Sequence, residues 1–251
     1  MRNNKSGQVT IFVIVAIVLV VGIIAAIIFT GRNELISPKE TTPKQSIEGC
    51  VKEAIEDSLA IILENGGELE PTKTVSYLGE KYNHLCYQAD YFLPCYNLKP
   101  ALEKSIEEEI KESTKSQVQN CFDNFRVEEE SKGFDVTGGE TTYSIDLLPG
   151  SIQVLLKKDI KISDGTSSQE FSNFDFKILS SAYDLIDVSR NIINGESEYC
   201  YFEYGGYMLL HPEFNIKKAY SKDSKVYSIE HVRTKERFKF AVRSCAPKPG
   251  L

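Results

Sequence analysis

The stretch Ser151-Ile-Gln-Val-Leu-Leu-Lys-Lys-Asp-Ile-Lys-Ile-Ser163 decides how the rest of this chain is read. Ile152, Val154, Leu156, Ile160 and Ile162 occupy alternate positions among polar or charged neighbours, so they share one face of an extended chain, as in a half-buried antiparallel strand. Beyond the Asp164-Gly165 turn, Phe174, Phe176 and Ile178 repeat the alternation. The period then changes. Leu179, Ala182, Tyr183, Ile186 and Ile193 form a stripe at helical spacing that stops at Asn194-Gly195, which predicts a helix over about 179–194 covering the inner face of the sheet. The chain closes with a hairpin whose arms, Lys225–Val232 and Arg237–Arg243, flank Thr234-Lys235 and point Phe238, Phe240 and Val242 to one side. The sheet therefore has four or more strands.

Upstream the helical period dominates. Thr42, Pro43 and Gln45 fit an N-cap, a first-turn proline and the third-position partner of a capping box. Ile47, Val51, Ile55, Leu59 and Ile62 then make one apolar face, and Asn65-Gly66-Gly67 tolerates a left-handed stop, so a helix spans 43–64. A second amphipathic helix is expected over about 99–125, with Leu102, Ile106, Ile110, Val118, Phe122 and Phe125 inward and Glu107-Glu108-Glu109 facing water. Between them, Lys81 to Cys95 reads as two short extended runs around Gln88-Ala89-Asp90. The fold class is α+β, an antiparallel sheet covered by about three helices in one unit over 43–251.

Six cysteines lie in this region and none before it. Cys50 sits near the start of the first helix and Cys121 near the end of the second, the ends that meet when two helices pack antiparallel. Cys86 and Cys95 face each other across a turn, which leaves Cys200 for Cys245, although the sequence leaves other connectivities open. A set of cysteines confined to one side of the chain points to an oxidising compartment.

The N-terminal part supplies the anchor. Val9 to Phe29 carries no charged residue, and about 21 residues at ~1.5 Å each cover a bilayer core, longer than the h-region of a cleaved signal peptide. This divides the chain into a short cytoplasmic tail (1–8), a transmembrane helix (9–30), a linker (31–42) in which Pro38, with Pro43 just after it, breaks a continuing helix, and an extracytoplasmic domain (43–251). Arg2 and Lys5 precede the span and set a modest positive-inside bias, which the cysteines reinforce. Residues 1–45 carry net +3 and the remainder net −10. An acidic ectodomain argues against nucleic acid as a partner and against lying flat on anionic lipid.

Two stretches carry a resemblance. Lys5-Ser-Gly-Gln-Val-Thr-Ile-Phe12 leading into the span, a cysteine opening the first helix, Gly66-Gly67 at its end, and Thr234-Lys-Glu-Arg-Phe-Lys-Phe-Ala-Val-Arg-Ser-Cys-Ala246 resemble a family of uncharacterised single-span membrane proteins of small-genome archaea. The resemblance covers both ends and implies a membrane-anchored envelope protein with no assigned activity. The N-terminus is also similar to the class III signal of archaeal type IV pilin-like proteins, which implies processing at Gly7-Gln8. It departs from that pattern at Phe12, where glutamate is usual, and at Ser6, where a basic residue is usual.

Motifs for chemistry are absent from the sequence. There is no phosphate-binding glycine loop, no His-Glu-x-x-His pair and no Gly-x-Ser-x-Gly elbow, so no catalytic residue, metal site or cofactor is assigned. His84, Cys86 and Cys95 are close in sequence, but a disulfide accounts for both cysteines. His211 and His231 read as structural or surface residues. Tyr199, Tyr201, Phe202, Tyr204 and Tyr207 crowd around Gly205-Gly206, and Tyr201, Tyr204 and Tyr207 are candidates for a platform that binds an envelope protein or a glycan. Core packing is the competing reading, because a chain without tryptophan must fill its core with tyrosine and phenylalanine. The expected function is a structural or binding role at the cell envelope. The alternatives are a pilin-like subunit and an envelope glycan hydrolase, the latter requiring a pair of converging carboxylates.

Overall fold

The structure is a computed structural model and describes residues 14–23 and 42–248. The chain divides into two compact units, Met1–Thr42 and Pro43–Leu251. In the first, residues 14–23 are helical with exposed side chains. The rest of the expected span and the Gly7-Gln8 bond lie outside the described residues, among which no helix is long and apolar enough to cross a membrane.

The second unit begins with α1 (Pro43–Glu64), β1 (Thr74–Tyr77), β2 (Glu80–Tyr87), β3 (Tyr96–Asn97) and α2 (Leu102–Ser131). It continues with β4 (Asp135–Gly138), β5 (Thr142–Leu148), β6 (Ser151–Ser163), β7 (Ser168–Asn173) and β8 (Phe176–Leu179). It ends with α3 (Ala182–Tyr199), α4 (Tyr204–Leu210), β9 (Phe214–Ser221), β10 (Ser224–His231) and β11 (Arg237–Arg243).

α1 opens on Pro43, whose fixed φ suits a first helical turn, and its whole stripe from Ile47 to Ile62 is buried. It stops where Gly66 adopts φ 71°. A Cβ there would also lie 2.9 Å from both the Asn83 Cβ and the Lys239 carbonyl, so glycine serves the turn and the close approach of β2 and β11 together. α2 starts three residues later than the spacing predicts, because Pro100 disfavours helical geometry at Lys99. It runs past residue 125 on an exposed tail laced by pairs such as Lys132 with Glu128 at 2.8 Å. The glutamate run does not simply face water. Glu107 accepts the Leu147 amide at 2.8 Å and Glu109 accepts that of Leu69 at 2.9 Å, one to each side of the helix.

The single antiparallel sheet expected from the alternation is in fact two sheets. One has the order β1-β2-β11-β10-β9, with β3 also paired to β2. The other is built on β6, whose first half pairs with β5 and β8 from opposite edges and whose second half pairs with β4 and β7. Nor is all the pairing antiparallel. β11 runs parallel to β2, setting Val242 opposite Cys86 and Arg243 opposite Tyr87. No tight turn joins these distant strands, so nothing local imposes the antiparallel sense. The first sheet buries Leu85, Tyr227, Ile229, Phe238, Phe240 and Val242 beneath α1 and α3. Its other face curls, so that Val75, Tyr82, Val226 and Ala241 form a second small cluster and the Ser221 hydroxyl donates to the Ser76 carbonyl at 2.6 Å.

The terminal stretch from Thr234 to Ala246 bolts the layers together. Glu236 accepts the Ser180 hydroxyl at 2.6 Å and the Ser181 amide at 2.5 Å, which places a carboxylate at the electropositive start of α3. Lys239, buried on β11, reaches Glu64 of α1 at 2.8 Å and Glu80 of β2 at 3.0 Å. Arg243 pairs with Asp223 at 2.6 Å. All six cysteines are paired, as Cys50–Cys121, Cys86–Cys95 and Cys200–Cys245, the same pairs that the helix ends, the turn and the remainder suggested.

The Lys239 cluster makes the domain sensitive to acid. Burial alone would raise the Glu64 carboxyl, but hydrogen bonds from Arg237 and Lys239 outweigh it and hold it below the ordinary range. Lys239 also holds Glu80 down. Carboxyls with a depressed folded-state pKa stabilise the fold above their unfolded values, and that stability is lost as pH falls through the folded ones. Denaturant titration from pH 6 to pH 2 should therefore show a steep loss in the native protein and a shallower one in Glu64→Gln. Parallel curves would sink the assignment.

Candidate functional site

The tyrosine-rich stretch folds against α3. The helix does not stop at Asn194-Gly195 as expected; it continues to Tyr199 and ends at Cys200, which takes a left-handed φ of 57°. At its other end the helix begins later than expected: Leu179 ends β8, and Ser180 and Ser181 precede the first helical residue, Ala182. Gly195 is thus an interior glycine. A Cβ on it would meet the Tyr201 carbonyl at 2.9 Å and the Phe202 ring at 3.2 Å, so its role is to let the aromatic loop cross the helix in contact with its backbone. Gly195→Ala should push the loop outward and destabilise the domain by about 1–3 kcal/mol, the usual cost of overpacking. Near-ultraviolet circular dichroism, which tyrosine dominates here, should change with it. A variant with native stability and spectrum would show that the crossing is loose.

Beneath the loop lies a buried charge cluster. Glu196 has no exposed surface. Its carboxylate takes a hydrogen bond from Tyr227 at 2.5 Å, pairs with Lys225, and has Lys218 at 3.8 Å. Lys225 also donates to the Cys200 carbonyl at 2.5 Å, and Cys200 is tied to Cys245 at the end of β11. Burial, with the adjacent Glu196 charge, pushes the Tyr227 hydroxyl far above its ordinary value, so it remains a donor. The Lys218 ammonium stands 5.0 Å above the Tyr201 ring. On the far side of the loop, Glu203 caps α4 by accepting the Gly206 amide at 3.3 Å and also accepts the Tyr201 hydroxyl. The loop is therefore held at its start, middle and end.

What this builds is an open groove of about 640 Å³. Asp187, Asn191 and Gly195 of α3 form one wall, and Tyr199, Tyr201, Phe202, Glu203, Tyr207 and His211 form the remainder. Tyr207 and His211 stack with centroids 4.3 Å apart and planes 24° from parallel. Tyr199 is 70% exposed and Tyr201 52%. Burial raises the Tyr207 hydroxyl, against a hydrogen bond from Asn191 that lowers it. The hydrogen bond from Tyr201 and the amide of Gly206 hold the Glu203 carboxyl below its usual range.

Of the three tyrosines singled out in the sequence, Tyr204 and Tyr207 both pack against the core, Tyr207 also lines the groove together with Tyr201, and Tyr204 does not line it. Tyr199 takes its place. Asp187, Asn191, Glu203 and His211 carry no sequence motif. The available signal was the spacing of Asp187 and Asn191, one helical turn apart on the polar side of the α3 stripe. His84 and His231 lie elsewhere. The His84 ring nitrogens reach the Lys73 carbonyl at 3.1 Å and the Ser224 hydroxyl at 3.0 Å, and burial lowers its pKa. His231 bonds the Thr234 hydroxyl at 3.0 Å. Among the described residues, no three His, Cys, Asp or Glu side chains are grouped to hold a metal ion. No protein-family model, curated protein or solved structure matches this chain.

Proposed function

We propose that this chain is a single-pass membrane protein whose disulfide-stapled domain stands outside the cytoplasm and serves as a binding component of the cell envelope, with the tyrosine groove as its contact surface. One observation carries the binding reading: exposed Tyr199 at the end of α3 and Tyr201 on the loop that follows it are held in place by a packing glycine, a disulfide, a buried lysine and a helix cap. Aromatic groups fixed before the partner arrives lose little entropy on binding. The membrane placement is supported by the charge-free run Val9–Phe29 and by the confinement of all cysteines to bridges in the second unit.

Hydrolysis is the weaker use of the groove. Two carboxylates line it, Asp187 and Glu203, and Glu203 is engaged as an acceptor by the Tyr201 hydroxyl and the Gly206 amide, which hold its carboxyl low and leave it unsuited to be the protonated acid that glycoside hydrolysis needs. A non-reducing intact mass of the protein from native membranes tests the placement. Three bridges remove about 6 Da in hydrogen, and the expected spectrum shows that deficit with the N-terminus retained apart from the initiator Met. Loss of residues 1–7 would favour a pilin-like subunit, and fully reduced thiols would overturn the extracytoplasmic topology.

A further inference from the structure

Resting on that reading of the groove, we infer that its ligand is an uncharged oligosaccharide. The apolar part of the site is aromatic. The exposed Tyr199 and Tyr201 rings, beside the mutually stacked Tyr207 and His211, offer apolar surface against which the C–H face of a pyranose ring can lie. The polar part stands at the edge of those rings. Asp187 and Asn191 rise one turn apart from α3 and line the groove with Tyr207, so acceptors and donors are present together where ring hydroxyls would project.

Charge selects among ligands. No lysine or arginine lines the groove, while Asp187 and Glu203 do, which disfavours phosphate, sulfate and uronate groups. A cationic ligand is no better served, because each carboxylate already has a partner. Asp187 is held by Arg190 at 3.1 Å, and Glu203 accepts the Tyr201 hydroxyl and the Gly206 amide. The ammonium nearest the rings, Lys218, is committed to Glu196 below them. What the site retains is hydrogen-bonding capacity beside aromatic faces, the chemistry of neutral sugar recognition. The groove is shallow and widely open to solvent, so it can take internal units of a longer chain.

The test uses the full-length protein in detergent micelles, titrated by saturation-transfer NMR with neutral gluco-, manno-, galacto- and N-acetylglucosamine oligomers and with sulfated and uronate-containing counterparts. Binding of at least one neutral series is expected, weakened about tenfold in Tyr201→Ser and in Asn191→Ala, with the folded state retained in both by far-ultraviolet circular dichroism because neither side chain is buried. Preference for an anionic series, or neutral binding that both variants leave intact, would overturn the inference. Absence of any sugar binding, with Tyr201→Ser abolishing capture of an envelope protein, would also overturn it while leaving the groove as a contact surface. Silence in both assays would overturn the groove reading as well.

Discussion

Glu196→Ala should destabilise the domain by about 3–5 kcal/mol, the cost of removing one partner from a buried ion pair. The carboxylate is wholly buried and is the counter-ion of Lys225 and Lys218, whose side chains are only 13% and 7% exposed. Without it, two ammonium groups and the Tyr227 hydroxyl lose their partner in a region of low dielectric, where an uncompensated charge is most costly. Because total stabilities are about 5–15 kcal/mol, a loss of this size would leave much of the protein unfolded at moderate temperature. A denaturant midpoint that falls steeply at unchanged slope is the expected signature. Replacing all three charged groups together with apolar ones of similar volume should recover much of the loss, since the desolvation penalty disappears with the charges. A shift below about 1 kcal/mol in the single variant would mean that water reaches the cluster.

Removing the Cys50–Cys121 bridge should cost about 4 kcal/mol in the chain-entropy account, because it closes a loop of 71 residues. The bridge joins the start of α1 to the last turns of α2, and it confines the unfolded chain more than it adds contacts to the folded one. The denaturant slope should therefore rise in Cys50→Ala/Cys121→Ala as the unfolded ensemble expands. Cys86–Cys95 closes only 9 residues, so its removal should cost less, about 2.5 kcal/mol on the same relation. If the short-loop variant proves the less stable of the two, loop entropy is not the governing effect, and local support for the turn before β3 takes its place.

The pattern of what was legible follows interaction range. α1 was readable to its boundaries because a proline, one apolar stripe and a glycine pair are all local signals. The β6 alternation and the β10–β11 hairpin were readable for the same reason. Gly195 is ambiguous in the sequence because the same residue that tolerates a helix stop also permits close packing, and only the crossing loop distinguishes the two. Glu107 and Glu109 were read as solvated, since a carboxylate that accepts an amide from another element has no signature in its own helix. The groove was half visible. Its tyrosines announced themselves by crowding, whereas Asp187 and Asn191 acquired meaning only when the chain returned to α3.

Sequence alone determined the class of this protein: a charge-free run before an acidic region that holds every cysteine, amphipathic helices followed by alternating strands, and the ends at which bridges form. These depend on composition and on periods of two or 3.6 residues, which neighbours in the chain set. Tertiary structure alone decided that the strands divide between two sheets, that β11 lies parallel to β2, and that Glu196 meets two lysines beneath a tyrosine loop. Strand partners and buried charges are chosen by contacts between distant segments, where the free energy depends on what is excluded from water together. No local period records that choice.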